Sequence, residues 1–405
     1  MSFRIALSGM NAATTSLGVI SNNIANANTT GFKSSRAEFS DLVTSGSQAL
    51  ASNDVGGGVA ADRVRQQHTQ GTIQFTDNAL DLAISGAGFF TIDRGGVEQY
   101  TRDGSFQVDD SGQIVTAYGD RLMGFSALPG GGFNTAELGP LRIATEESAP
   151  RTTAEIGATF NLPSDAEQPT VAAFDPADAD SYNHATSVTI YDSLGSPHSA
   201  TLYLSKGAAP NEWTMNLAID GVDVGSPTPL TFDSAGQLTA PAGGSVNFAG
   251  LTVGAAANPQ DITLDLSSVT QYGSQFAVSD LNQDGYANGS LSGVEFTADG
   301  VLQARYSNGQ LVGLGQVALS NFRNLDGLQD DGNNAWRATT EAGAVRRGAP
   351  ANGDFGSLRI GALESSNVDL TAQLVEMITA QRSFQANAQV VTTSDQITQA
   401  TLNIR

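Results

Sequence analysis

The chain has 405 residues, with 41 acidic and 19 basic side chains and a net charge of −22. Nucleic acids and anionic membranes are bound through basic patches, so this charge balance argues against both as partners. A chain of this length is able to form two or three domains that each have a hydrophobic core. It contains no cysteine, so a disulfide framework is excluded and its stability has another source.

The N-terminus does not resemble a cleaved secretion signal. The apolar stretch from Ile5 to Met10 is interrupted by Ser8 and Gly9, and no small-residue cleavage site follows it. Elsewhere no run approaches the roughly eighteen consecutive apolar residues of a membrane span. We therefore expect either a cytosolic protein or one that is exported with its N-terminus intact.

The first predicted element is an N-terminal helix with one apolar stripe. Alternating steps of four and three residues have the period of a coiled-coil seam, and we predict that the apolar residues on these steps contact other helices. They are Phe3, Leu7, Met10, Leu17 and Ile24. An asparagine-rich run follows, whose side chains compete for backbone hydrogen bonds, so the helix is predicted to end by Gly31.

The middle of the chain is predicted to be a connector followed by two nested β domains. Residues 34–70 mix charged and apolar side chains, and we predict a connector that becomes ordered against neighbouring molecules. From residue 71 short strands alternate with turns, and Asp-Gly and Asn-Gly dipeptides favour tight hairpins. We predict an inner β domain over residues 71–145 and 281–362, and an inserted outer β domain over residues 146–280.

The last predicted element is one long amphipathic helix from Glu364 to the C-terminus. Ser366 and Asp369 have the spacing of a capping box, and neither glycine nor proline occurs after Gly361. The same alternating steps place several apolar residues on one stripe, which we also predict to be an oligomerisation surface. They are Leu370, Leu374, Met377, Phe384, Val391 and Leu402.

Two arrangements of the terminal helices are open. They pack on each other at the edge of a globular domain, or both pack against other copies of the chain. A second apolar stripe at Val390, Ile397 and Ile404 favours the second arrangement, because one partner helix does not cover both stripes. The segment between residues 1–33 and 363–405 carries 37 acidic and 15 basic side chains, so the whole net charge of −22 comes from the middle of the chain. We therefore expect the terminal segments to form the apolar contacts and the middle of the chain to stay solvated.

The predicted fold class is α+β and mainly β. The terminal segments 1–33 and 363–405 pair as a coiled-coil-like helical core, with the two β-rich domains between them. No catalytic, cofactor or metal site is predicted, since His68, His184 and His198 each lack a second ligand at metal spacing. A carboxylate pair brought together by folding, as in a glycosidase, is the one enzymatic arrangement left open.

Two short motifs resemble a calcium loop and a dinucleotide-binding loop, but neither has the residues that such a site requires. The segment 280–285 matches the first half of a calcium loop, but Leu291 stands where a bidentate glutamate is needed, so a polar turn is preferred. The glycines Gly313 and Gly315 resemble a dinucleotide loop, but strand-like residues follow them where a helix is required.

Four blocks of the sequence resemble those of bacterial flagellar rod and hook proteins. The first contains Asn22, Asn23, Asn26, Asn28, Thr29, Gly31, Phe32 and Lys33. The second and third are residues 80–90 and 100–106, and the fourth contains Asn367, Gln381 and Arg382. Within this family, a length near 400 residues with an inserted β domain is most similar to the hook proteins.

The resemblance implies a structural subunit of a tubular helical polymer at the extracellular part of the flagellum. Paired terminal helices would line the core around an export channel, and the polymer would be a flexible universal joint that transmits torque from rod to filament. The implied partners are other copies of the chain, the distal rod protein, the hook cap, the hook–filament junction proteins and the flagellar type III export apparatus. The alternatives are a distal rod or junction protein, a secreted β-rich adhesin with oligomerising terminal helices, and a cell-wall glycan hydrolase.

Overall fold

The structure is a computed structural model that describes residues 2–42, 56–129, 131–143, 147–254 and 257–403, without the side chains of residues 2 and 401–403. Within these residues the chain is mainly β with two long helices. It divides into two compact units. Unit 1 comprises Met1–Thr145, Gly293–Arg305 and Leu311–Arg405, and unit 2 comprises Glu146–Ser292 and Tyr306–Gln310. Neither helix has an apolar window that would span a membrane over the part of the chain described.

The two long helices are α1 (Ser2–Ala25) and α2 (Leu370–Asn403). With 34 residues, α2 is about 50 Å long at about 1.5 Å per residue. The predicted start at Glu364 is wrong, because Ala362–Glu364 forms a strand. The helix begins after Asp369, whose Oδ1 accepts hydrogen bonds from the backbone N–H groups of Thr371 and Ala372. Aspartate is a preferred N-cap because it satisfies these otherwise unpaired donors, so Asp369 and not the predicted Ser366 caps α2.

The first ten strands belong to unit 1. They are β1 (Ser35–Asp41), β2 (Val59–Gln66), β3 (Ile73–Phe75), β4 (Leu82–Ser85), β5 (Phe89–Arg94), β6 (Val97–Thr101), β7 (Phe106–Val108), β8 (Ile114–Thr116), β9 (Arg121–Ala127) and β10 (Phe133–Pro140). Strands β1 and β2 pair antiparallel as a two-stranded ribbon. This ribbon lies within the predicted connector 34–70, of which residues 43–55 are outside the described part. The connector therefore includes regular strand pairing, which its mixed composition does not indicate.

Unit 2 contains two β-sheets that share one hydrophobic core. Its strands are β11 (Glu155–Pro163), β12 (His184–Tyr191), β13 (Pro197–Lys206), β14 (Glu212–Ile219), β15 (Val222–Phe232), β16 (Leu238–Ala240), β17 (Ser245–Leu251), β18 (Gln260–Asp265), β19 (Thr270–Tyr272) and β20 (Ala277–Gln283). One sheet has the order β17-β18-β11-β19, with β20 also paired to β11, and the other runs from β12 to β16. Phe160, Leu202, Trp213 and Ile262 belong to the shared core.

The remaining strands return the chain to unit 1. They are β21 (Leu291–Phe296), β22 (Val301–Tyr306), β23 (Leu311–Val317), β24 (Leu319–Asn321), β25 (Leu328–Asp330), β26 (Ala335–Ala338), β27 (Arg346–Gly348), β28 (Ser357–Ile360) and β29 (Ala362–Glu364). The main sheet has the order β21-β22-β23-β9-β5-β6-β26-β25. Its first three strands confirm the meander predicted from the Asp-Gly and Asn-Gly turns, where Gly300 and Gly309 have φ values of 75° and 82°. Short 3₁₀ turns occur at Ala179–Ser181, Ala242–Gly244, Leu325–Gly327 and Thr340–Ala342.

Candidate assembly surfaces

Helices α1 and α2 pack along one stripe of each, and they are antiparallel because Asn23 lies at Gln373 and Gly9 lies at Asn387. The buried or half-buried residues on these stripes include Ala6, Gly9, Ala13, Ser16, Ile20 and Asn23 of α1, and Gln373, Met377, Ala380, Phe384, Asn387, Val391 and Ser394 of α2. Both sets follow steps of three and four residues, which is the period of a coiled-coil seam. Small residues on α1 allow a close approach, since a Cβ at Gly9 would lie 2.8 Å from the amide of Asn387.

Asn23, from the first motif block, joins three elements at one end of this seam. Its side chain is buried, and Nδ2 donates to Oε1 of Gln373 at 3.0 Å and to the carbonyl of Ser35 at 2.8 Å. Its Oδ1 accepts from the backbone N–H of Ser35 at 2.9 Å. The amide therefore has its hydrogen bonds satisfied while linking α1, α2 and the start of the ribbon.

The predicted oligomerisation residues divide between this seam and the outward surface. Met377, Phe384 and Val391 are half-buried on the seam side of α2, and Met10, Leu17 and Ile24 of α1 are also half-buried. The remaining described members are 42–51% exposed; they are Phe3, Leu7, Leu370 and Leu374. The side chain of Leu402 lies outside the described part. The intramolecular seam is thus displaced from the predicted one, and a stripe of large apolar side chains remains on the surface.

A buried ion cluster lies where both chain ends meet the strands of unit 1. Lys33 Nζ lies 2.6 Å from Oε1 of Glu364, and Arg102 Nη1 lies 3.0 Å from Oε2 of the same carboxylate. The three side chains are 1%, 6% and 0% exposed, in the order Lys33, Arg102 and Glu364. Oε1 also accepts from the backbone N–H of Gly71 at 2.8 Å. Two cations therefore share one carboxylate in a site closed to water.

The cluster also changes the protonation of its neighbours. Burial lowers the pKa of Lys33, and the attraction of Glu364 opposes this effect. Burial likewise lowers the pKa of Arg102 against the same attraction. His68 lies edge-on to Phe89 and Trp336, and its burial, with smaller contributions from the two cations, lowers its pKa to about 4. His68 is therefore neutral near neutral pH, and the two cations of the cluster are held by the carboxylate of Glu364.

Sequence reasoning missed this cluster although two of its members lie in the resembling blocks. Lys33 is one of only two lysines in the chain, and Arg102 belongs to the third block. Glu364 lies in none of the four blocks, and the hydrophobic pattern placed it at the start of the C-terminal helix. The one available hint was a single lysine at the end of an uncharged, asparagine-rich run.

Gly31 and Asn367 hold the backbone around the cluster. Gly31 has a φ of 70°, and its N–H donates to the carbonyl of Glu364 at 2.7 Å. Asn367 accepts from the N–H of Ser34 at 2.7 Å and donates to the carbonyl of Gln67 at 2.8 Å. These two motif residues therefore connect the segment after α1 with the segment before α2.

Replacing Gly31 by alanine is expected to destabilise unit 1 by more than about 1 kcal/mol. A side chain in the left-handed region costs roughly 1–2 kcal/mol, and here a Cβ would also lie 2.6 Å from the backbone nitrogen of Asp103. Gly96→Ala is the matched control, because Gly96 has a φ of 90° and the methyl group of an alanine there would have no described atom within 4 Å. Chemical denaturation of both variants measures the effect, and equal losses would show that the close contact is unimportant.

The other motif residues complete the turn after α1 or lie on the surface of α2. Asn26 donates to the carbonyl of Asn22 at 3.0 Å, and Thr29 donates to Oδ1 of Asn26 at 3.2 Å. These bonds follow the end of α1 at Ala25, which is earlier than the predicted limit at Gly31. Phe32 is half-buried; the exposed motif residues are Asn22, Asn28, Gln381 and Arg382.

The two motifs set aside in the sequence have structural roles. Asp284 accepts hydrogen bonds from Arg151 at 2.8 Å and from the N–H groups of Ala154 and Glu155 at 2.8 and 2.9 Å, so its oxygens join strands of unit 2. Gly313 and Gly315 lie within strand β23. The side chains described in the structure form no cluster of three or more metal-binding groups.

In unit 2, His198 lies between two carboxylates. Its Nδ1 is 2.6 Å from Oδ2 of Asp220, and its Nε2 is 3.5 Å from Oδ2 of Asp192. The hydrogen bond with Asp220 raises the pKa of His198, burial acts in the opposite direction, and Asp192 adds to the increase. The same bond with His198 lowers the pKa of Asp220. The folded unit therefore favours the protonated imidazole.

We expect His198 to stabilise unit 2 more in mildly acidic than in alkaline solution. Because its folded pKa lies above the unfolded value of about 6.5, the stabilisation is complete below that value and is lost as the pH rises through the folded pKa. The difference in melting temperature between wild type and His198→Gln should shrink as the pH is raised. His184, whose pKa is lowered by burial, is present in both proteins, so its effect on the melting temperature cancels when wild type and variant are compared. A difference that stays constant across this range would contradict the assignment.

Comparison with known proteins places the whole chain among flagellar axial proteins. Family profiles match the flagella basal body rod protein at residues 3–33, the flagellar hook protein FlgE/F/G D1 domain at 83–173, the flagellar basal body protein FlaE D2 domain at 161–286, and the flagellar basal body rod FlgEFG protein C-terminal at 359–404. The flagellar hook proteins FlgE of Salmonella typhimurium and Escherichia coli K12 are each 38% identical over 100% of both chains. That of Borreliella burgdorferi is 34% identical over 98% of each. A crystal structure of the Helicobacter pylori flagellar hook protein FlgE2 has a similar fold, with a TM-score of 0.54 at 14% identity over 72% of this chain and 100% of that one.

Proposed function

This chain belongs to the flagellar hook protein family and is a structural subunit of the hook, and we propose that the outward faces of α1 and α2 join its copies into the hook polymer. The relatives are named hook proteins over their full length. This supports a hook subunit and gives no support to a rod or junction protein or to an adhesin.

The observation that carries the proposal is the apolar surface left exposed on the paired helices. Leu370, Leu374 and Ile378 of α2 are 45%, 51% and 51% exposed, and Phe3 and Leu7 of α1 are 48% and 42% exposed. Fully burying one such side chain contributes about 1.5–3 kcal/mol, so covering the set supplies a large driving force for association. Leu370, Leu374 and Ile378 are neighbours on one face of α2, and a cluster of exposed large apolar side chains is typical of an interaction site.

The distribution of charge supports the same division of roles. Unit 2 carries 17 acidic residues and only two basic ones, Arg151 and Lys206. Neighbouring copies therefore repel each other through this unit, which keeps it solvated. Helix α1 carries only Arg4, and α2 carries Glu376, Arg382 and Asp395, so the helices approach one another with little repulsion.

We also propose a mechanical role and further partners for the polymer, following the family resemblance. The tube would be a flexible universal joint that transmits torque from rod to filament, with no catalytic role for the subunit. Its further partners would be the distal rod protein, the hook cap, the junction proteins and the type III export apparatus, which exports the chain without a cleaved signal. The division into a helical core, a connector and two nested β domains belongs to this proposal.

We expect Leu370→Asp to prevent polymerisation while leaving the monomer folded. Leu370 is 45% exposed, so the monomer loses little packing, whereas an aspartate buried between copies is desolvated without a partner. Electron microscopy of concentrated protein, and of hooks on cells that carry the variant, measures assembly. Val222→Asp is the matched control, because Val222 is 65% exposed on unit 2. Normal hooks built from Leu370→Asp would count against the proposal.

A further inference from the structure

A second surface, lined by both apolar and polar residues, lies beside the helix pair, between α1, α2 and the ribbon of β1 and β2. It is a groove with a volume of about 660 Å³. Its lining is dominated by small and apolar side chains, including Ala12, Ala13, Ala37, Phe39, Val59 and Ala380. We call it the ribbon groove. Many of its lining residues are small, and among the residues that the structure describes no large side chain fills it, so it has room for large side chains from another molecule.

Helix α2 carries the ribbon groove and the exposed leucines on nearly opposite faces. At about 100° per residue, Leu370, Leu374 and Ile378 share one face, which we call the leucine stripe. The groove residues of α2 include Glu376, Thr379 and Ser383. They lie about 140–200° around the helix from Leu374. The same two turns of α2 therefore present large side chains on one side and border a groove on the other.

We propose that the leucine stripe of one copy occupies the ribbon groove of the next copy in the polymer. This inference rests on the proposed function and names the two surfaces that meet. A contact between two different surfaces of the same chain is head-to-tail, so each copy both donates a stripe and accepts one. Such a contact repeats from copy to copy and generates a helical array when its rotation does not close into a ring, whereas a stripe that packed on itself would give a closed dimer.

Charges at the two surfaces fit this occupant. Glu376 is exposed at the groove and accepts a hydrogen bond from Gln373 of its own helix at 3.1 Å. Arg382 follows Ile378 by one helical turn, is exposed, and forms no ion pair with any residue described. When a stripe enters the groove, the adjoining Arg382 can pair with Glu376 of the accepting copy. A complementary pair of this kind sets the register between neighbours. The groove also contains Arg36 on β1, which leaves it with one charge of each sign.

Cross-linking between introduced thiols tests the contact directly, because the chain has no cysteine of its own. Ile378→Cys places a thiol on the stripe and Ala12→Cys places one in the groove. In polymers of the double variant, a short bismaleimide should produce a ladder of dimers, trimers and larger species on a denaturing gel. Either single variant should remain monomeric, since its thiols do not meet each other.

Other outcomes would overturn the inference. A ladder from Leu7→Cys with Ala12→Cys, and none from Ile378→Cys with Ala12→Cys, would mean that α1 and not α2 occupies the groove. Dimers from Ile378→Cys alone would mean that the stripe packs on itself. Polymers without any ladder would refute this contact but leave the proposed function standing, whereas failure of the wild-type chain to polymerise would refute the proposed function.

Charge exchange provides a second test that does not depend on chemical cross-linking. Glu376→Arg and Arg382→Glu should each raise the protein concentration needed for polymerisation by about tenfold, because each places like charges together at the contact. The double variant restores opposite charges and should polymerise near the wild-type concentration. A double variant that is as defective as either single variant would contradict the pairing.

Discussion

Replacing Glu364 by glutamine is expected to destabilise unit 1 by about 3–5 kcal/mol, the usual effect of removing one partner from a buried ion pair. Glu364 is fully buried and is the carboxylate that Lys33 and Arg102 share, at 2.6 and 3.0 Å. A neutral amide of the same size leaves both cations in a site closed to water. The lysine then loses the attraction that opposes the effect of burial on its pKa.

Urea unfolding of the wild type and of Glu364→Gln measures this loss. Glu295→Gln is the matched control, because Glu295 pairs with Arg305 at 2.8 Å with both side chains largely exposed, and such pairs contribute little. The control should unfold like the wild type. A loss below about 1 kcal/mol in Glu364→Gln would show that the two cations find other partners or lose a proton at little cost.

The Glu364 cluster illustrates what sequence patterns do not contain. Hydrophobic periodicity correctly predicted two terminal helices, because both have long stripes that only a helix places on one face. The pattern also assigned Glu364 to the second helix, since no local signal separates it from the residues that follow. Its partner Lys33 lies 331 positions away, so only the tertiary fold explains why this carboxylate belongs to a strand.

The seam between the helices is a second feature that the hydrophobic pattern of the sequence only partly reveals. Large apolar residues dominate a hydrophobic pattern, and the stripe that they predicted on α2 shares Met377, Phe384 and Val391 with the seam. The actual stripe of α1 contains Ala6, Gly9 and Ala13, which contribute little hydrophobicity but allow the helices to approach closely. Phe3, Leu7, Leu370 and Leu374 remain exposed, where they are available to another molecule. The ribbon β1–β2 was not predicted either, because its strands lack regular apolar alternation and more than half of their residues are exposed.

Replacing Phe384 by aspartate is expected to separate α1 from α2 and to abolish assembly, which is a larger defect than that of Leu370→Asp. Phe384 is half-buried on the seam between the helices. Its removal loses much of the roughly 3–5 kcal/mol that truncation of a buried phenylalanine costs, and the new carboxylate must also be desolvated. Helices of this kind depend mainly on packing for their stability, so both should unfold together.

The two variants therefore fail to polymerise for different reasons, and the monomers distinguish them. Leu370→Asp should keep the helical signal in circular dichroism and resist proteolysis at both ends. Phe384→Asp should lose most of that signal and be cleaved in both terminal segments, while the strands of units 1 and 2 remain protected. Phe384→Leu keeps an apolar side chain at the seam and should behave nearly like the wild type. If Phe384→Asp retained paired helices and assembled normally, packing at Phe384 would not be what holds the two helices together.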